Sequence, residues 1–272
     1  MREKIAPREF WNRRSQHYDG QSGAAYADAY RKTAECIRPY LTPNDRVLDF
    51  ACGTGLVTLP VAQMAAEVCA IDISDEMVRH LKEKIAEQGV GNVSVSCMDL
   101  FDDSLRPDSF DAVVACNVLL YLENRAEVLA RIHELLRPEG VFLSATDCLG
   151  ERLTREGVRK WWRSHTGKMP YVSFDRMHTL EASIAAAGFE VLETENLFPA
   201  PPNLFVAARK KRTNTGARTN GPRSFYAQTK YLLTMGTRLS SAETKKDSVP
   251  MSSVRSGTEK KALQESVLMP RN

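Results

Sequence analysis

Val47-Leu48-Asp49-Phe50-Ala51-Cys52-Gly53-Thr54-Gly55 runs from an apolar, β-branched stretch into a turn of small residues, and an apolar helical pattern follows at Leu56–Ala66. A strand that passes through such a turn into a helix is the opening unit of an open α/β sheet. In that architecture ligands bind beyond the carboxyl ends of the strands. Small residues there let a ligand reach the backbone, and a glycine-rich turn presents N–H groups to an anionic group.

The pattern repeats outward from this turn. Strand-like runs fall at Arg46–Phe50, Glu67–Asp72, Val93–Met98, Phe110–Cys116, Val141–Asp147, Glu190–Glu195 and Leu204–Ala208. Helical patterns lie between them at Leu56–Ala66, Asp75–Gln88, Arg125–Leu136 and Phe174–Ala187. Several of the runs are almost wholly apolar, as strands covered on both faces are. The alternation predicts an α/β fold with a mostly parallel sheet and helices on both sides. Local signals agree. Ser74 is placed to cap the helix at Asp75, Gly89 and Gly188 follow helical stretches, and Pro138-Glu139-Gly140 turns the chain into Val141–Asp147.

Acidic residues mark the ends of neighbouring strands. Asp72 closes the second run, where a carboxylate can accept both hydroxyls of a ribose. Asp99 follows the third, where an acceptor suits the exocyclic amine of adenine. Asn117 follows the fourth, with Tyr121 just beyond it. Together these suggest a nucleoside-containing cofactor. The turn lacks the third glycine that supports a pyrophosphate in G-x-G-x-x-G sites, which argues against a dinucleotide.

This constellation resembles the class I S-adenosylmethionine (SAM)-dependent methyltransferases, in particular the small-molecule branch of type 11 or 25, over roughly residues 10–210. The resemblance implies a Rossmann-like seven-stranded sheet whose last strand is antiparallel. It implies SAM as cofactor, with the methionine part at Asp49, Ala51, Gly53 and Gly55. The ribose falls to Asp72, the adenine to Ile73, Met77, Asp99 and Leu100, and the methyl group to Asn117. Ala51 departs from the family, which places glycine there. Family members often open on a "W…YD" segment, here Trp11…Tyr18-Asp19, and Tyr18 is the residue expected to close over the cofactor.

Methyl transfer from a sulfonium is an in-line displacement, so the protein mainly supplies position and a dry site. A base is needed only when the nucleophile arrives protonated. Tyr121 and His165 are the catalytic candidates. Trp161-Trp162 are expected to wall a flat or apolar substrate. The expected organisation is a methyltransferase domain over 1–212, with a helical cap at 1–44 and a substrate lid at 148–173. A basic tail over 213–272, with ten Lys/Arg against four Asp/Glu, is expected to be largely disordered.

The net charge of +3 comes from that tail, and residues 1–212 are slightly acidic. The composition therefore gives no nucleic-acid footprint on the body. Six scattered cysteines form no C-x-x-C pair and no metal-ligand spacing. No apolar run approaches the ~20 residues of a membrane span, and Met1-Arg2-Glu3-Lys4 opens no signal peptide. The expectation is a cytoplasmic, metal-independent enzyme acting on the O, N or C nucleophile of a small molecule. Three other readings stay open: an inactive SAM-binding scaffold, an RNA or protein methyltransferase, and an NAD-dependent oxidoreductase.

Overall fold

A computed structural model describes residues 5–211; the tail lies outside them, as does the expectation made for it. Seven strands form one sheet in the order β3-β2-β1-β4-β5-β7-β6. They are β1 (Arg46–Phe50), β2 (Glu67–Asp72), β3 (Val93–Cys97), β4 (Phe110–Cys116), β5 (Leu136–Asp147), β6 (Phe189–Pro199) and β7 (Pro202–Lys210). The pairs among β1 to β5 are parallel, while β7 runs antiparallel between β5 and β6. The helices are α1 (Pro7–Tyr18), α2 (Ala27–Ile37), α3 (Thr58–Ala62), α4 (Asp75–Gln88), α5 (Arg125–Leu135), α6 (Arg155–His165) and α7 (Met177–Ala186).

The alternation of side chains along the central strands explains why they are apolar throughout. Leu48, Val113 and Phe142 point to one face, where α5 and α7 supply Leu129, Ile132, Leu180 and Ile184. Val47, Val114, Leu143 and Phe205 point to the other, against Ala34 and Ile37 of α2 and Val61 of α3. Each strand thus fills two cores, and its register cannot slip without burying the wrong set.

Strands β6 and β7 run longer than the expected runs and α7 begins at Met177 rather than Phe174, and two further elements differ in kind. Helix α3 spans five residues rather than eleven. The glycine turn occupies the chain up to Val57, and the Asn92 amide satisfies the carbonyls of Ala62 and Ala65 at 2.8 and 3.0 Å, ending the helix early. Strand β5 begins at Leu136, before the Pro138-Glu139-Gly140 turn. Its register jumps from Phe110↔Leu136 to Ala112↔Val141, so the turn is absorbed as a bulge.

The switch point lies between β1 and β4, from which the chain winds outward in both directions. The loops after β1, β2, β3 and β4 gather there. Helix α1 is fastened over them. Arg8 Nε donates to Ile73 O at 2.7 Å, Asn12 Nδ2 donates to Asp75 Oδ1 at 2.8 Å, and Ser74 Oγ donates to Asn12 Oδ1 at 2.6 Å. Asp19, just past α1, accepts from Thr54 Oγ1 and pairs with Lys84 Nζ, each at 2.5 Å.

Candidate active site

The glycine turn is built by three residues of positive φ: Ala51 at 60°, Gly53 at 53° and Gly55 at 85°. Their roles differ. A Cβ on Gly53 would meet nothing within 4 Å, so this residue opens onto free space. A Cβ on Gly55 would lie 2.3 Å from Leu81 Cδ1, so that glycine exists to let α4 pack. Asp72 holds the turn from the side. Its Oδ2 accepts from Gly53 N at 2.9 Å and its Oδ1 from Ser74 N at 2.8 Å. Burial pushes its carboxyl above the ordinary value, and the amides of Ser74, Gly53 and Ile73 pull it back down.

These residues wall a cavity of about 480 Å³ beyond the ends of β1 to β4. Ala51, Gly53, Asp72 and Asn117 give it a polar end, and Ile73, Met77 and Leu100 give it an apolar slot. Asp99 stands at its edge, one oxygen accepting from Phe101 N at 2.9 Å. Trp11 and Tyr18 close the cavity from α1. Asp49 and Gly55 are not on the wall. Asp49 is buried beneath the turn, where Thr58 Oγ1 donates to it at 2.6 Å. Burial raises its carboxyl to about 7; the Thr58 bond opposes the shift and the charge of Asp72 adds to it.

A second cavity, of about 410 Å³, adjoins the first and shares Trp11, Tyr18, Asn117 and Tyr121 with it. A polar chain crosses the shared wall. Asn203 Nδ2 lies 2.9 Å from both Asn117 Oδ1 and Asp147 Oδ1, and Lys160 Nζ donates to Asp147 Oδ2 at 3.1 Å. Burial opposes the charge of Lys160, but Tyr121 and Asp147 outweigh it and raise its pKa. Tyr18 and Tyr30 place their hydroxyls 3.3 Å apart, and burial raises the pKa of both. Asn117 holds a φ of 55°, a conformation asparagine tolerates better than most residues.

Residues 47–140 match the family described as a methyltransferase domain. That stretch, about a third of the chain, is similar to methyltransferase domains. Nocamycin O-methyltransferase of Saccharothrix syringae is 33% identical over 126 residues, 45% of this chain and 44% of that protein. Magnesium-protoporphyrin O-methyltransferase of Rhodobacter capsulatus is 35% identical over 106 residues, 38% of this chain and 46% of the other. The chain spans about half the length of these curated relatives. In fold, it resembles a SAM-dependent methyltransferase of Aquifex aeolicus at a TM-score of 0.56 and 16% identity, over 76% of this chain and 100% of that one.

Around this matched stretch, the fold brings Tyr18, Ala51, Gly53, Asp72, Ile73, Met77, Asp99, Leu100, Asn117 and Tyr121 to one cavity. His165 is not among them. It is exposed at the end of α6, stacked on Trp161 at 4.2 Å with Nδ1 2.8 Å from the Trp161 carbonyl oxygen. Trp161 and Trp162 do not wall a substrate either, being 47% and 51% exposed. The reason is the spacing of charge on α6: Glu156, Arg159, Lys160 and Arg163 recur at helical intervals and line the second cavity, which turns the tryptophans outward. Asp147, Lys160 and Asn203 escaped the sequence reading. The one available signal was an aspartate at the carboxyl end of β5, the position that singled out Asp72 on β2.

Proposed function

We propose that this chain transfers the methyl group of SAM to a small-molecule acceptor, with an oxygen nucleophile favoured. The observation that carries the reading is the pair of cavities meeting at one wall, the first built on the glycine turn and the second beside it. The O-methyltransferase relatives support the choice of oxygen. The open space at Gly53, the carboxylates of Asp72 and Asp99 and the apolar slot between them fit a cofactor with a ribose and a flat base.

SAM supplies an electrophilic methyl group. The protein positions it and excludes water. Asp72 would accept from the ribose hydroxyls while keeping its grip on the turn. Ile73, Met77 and Leu100 would pack on the adenine, and Asp99 would accept from its amine. Asp49 and Gly55 act from behind the wall, by shaping the turn. Trp11 and Tyr18 would cover the cofactor, and Asn117 and Tyr121 line the wall nearest the second cavity, where an acceptor would enter. Asp147 is the carboxylate of the shared polar network, and it takes the proton of an acceptor hydroxyl. Residues 1–44 and 148–173 act as the cap and lid of the site.

The test is turnover with isotopically labelled methyl-SAM over a panel of hydroxylated small molecules, read by mass spectrometry. A singly methylated product, formed together with S-adenosylhomocysteine (SAH), is expected. Asp147→Asn should lower kcat by about 10²-fold or more, the scale of general-base catalysis, with SAH affinity unchanged. Cofactor binding without transfer to any acceptor would favour an inactive SAM-binding protein. An Asp147→Asn enzyme of full activity would remove the base assignment.

A further inference from the structure

The second cavity carries more positive charge than its own residues neutralise. Six charged side chains line it: Arg14, Asp147, Glu156, Arg159, Lys160 and Arg163. Two ion pairs account for four of them, Lys160–Asp147 at 3.1 Å and Arg159–Glu156 at 2.5 Å. Arg14 lies 5.8 Å from the Phe10 ring centroid, and neither it nor Arg163 has a carboxylate partner among the described residues. Both residues are partly buried. A cation withdrawn from water without a counter-charge is costly, and an anionic ligand group inside the cavity removes that cost.

The orientation of α6 is an independent sign of the same thing. A helix on a globular domain ordinarily turns its apolar stripe inward. Here the charged stripe faces the cavity, and Val158, Trp161 and Trp162 face solvent. Half of the remaining wall residues are aromatic, Trp11, Tyr18, Tyr26 and Tyr121 among them. At about 410 Å³ the space suits a small organic molecule.

We propose that the acceptor is an aromatic acid, its carboxylate or phosphate held by Arg14 and Arg163 and its ring lying between the aromatic side chains. This rests on the methyltransferase reading for the word acceptor, though not for the anion site itself. Guanidinium forks match both carboxylate and phosphate geometry, and such charge-assisted bonds are the strong ones.

The experiment is calorimetry on the full chain saturated with SAH, using 4-hydroxybenzoate, phenyl phosphate and phenol as probes. At least one acid should bind roughly tenfold tighter than phenol, the scale of a charge-assisted hydrogen bond. Which acid wins separates a carboxylate from a phosphate acceptor. Arg14→Gln and Arg163→Gln should each remove most of that preference and leave SAH affinity unchanged, and Arg163→Lys should keep part of it. Phenol binding as tightly as both acids would overturn the proposal. So would failure of both acids to bind up to millimolar concentration, or a preference that survives both glutamine substitutions. Should SAH itself not bind, the methyltransferase reading falls, and the same three probes on the free protein still decide the anion site.

Discussion

Ala51 stores strain at the entrance of the site. Its φ of 60° costs an alanine about 1–2 kcal/mol, of which glycine would give back roughly 0.4–1 kcal/mol through its freer unfolded chain. Ala51→Gly should therefore raise stability by about 0.5–1 kcal/mol and leave the cavity intact; thermal unfolding and SAH titration check both halves. Asp49 stores a different cost, since its folded carboxyl titrates near 7 against an ordinary 3.8 because of burial. Between those values the folded chain holds a proton that the unfolded chain has lost. Stability from this group thus falls as pH rises through the window, and the cost is complete above about 7. Asp49→Asn should be more stable than the parent at pH 8 by at least about 1 kcal/mol, with the gap vanishing toward pH 4. Melting curves that stay parallel across that range would refute the assignment.

At the scale of elements, α1 is the part expected to move when a cofactor enters. Its hold on the β2–α4 junction is polar: Asn12 bonds both Ser74 Oγ and Asp75 Oδ1, and Arg8 bonds the Ile73 carbonyl. On its other side Phe10 packs with Leu120, Leu149, Met169 and Val172, so the polar edge is the one expected to release, admit a cofactor and close Trp11 and Tyr18 over it. Asn12→Ala removes two bonds worth about 1 kcal/mol each. It should weaken SAH binding by roughly tenfold, mainly through faster dissociation, with a much smaller change in Tm. Unchanged release kinetics in stopped-flow measurements would show that α1 is a fixed wall. Elements with a single strong pattern were legible in the sequence. Strands β1, β2 and β4 and helix α4 fall where the apolar runs and caps put them, because burial on both faces leaves few other arrangements. Helix α6 was read the wrong way round, because its tryptophans suggest an inward face when the sequence is taken alone. Only the cavity beneath it explains why the charged stripe turns in.

Over the whole molecule, the sheet places residues far apart in sequence on one wall. Asn117 follows β4, Asp147 ends β5 and Asn203 belongs to β7, yet a single amide bridges the first two. The wall of the first cavity was legible because most of its polar residues follow successive strands. The second cavity was not, because Arg14 of α1, Asn203 of β7 and the charged stripe of α6 meet only through tertiary packing. The central claim is that the glycine-turn cavity takes SAM. It is tested most directly by titrating the protein and its Asp72→Asn variant with SAH and NAD in a calorimeter. Saturable SAH binding, no NAD binding, and a loss of about 1–3 kcal/mol in the variant are expected, the scale of hydrogen bonds to a charged group. Binding of NAD in place of SAH, or equal SAH affinity in both proteins, would contradict it.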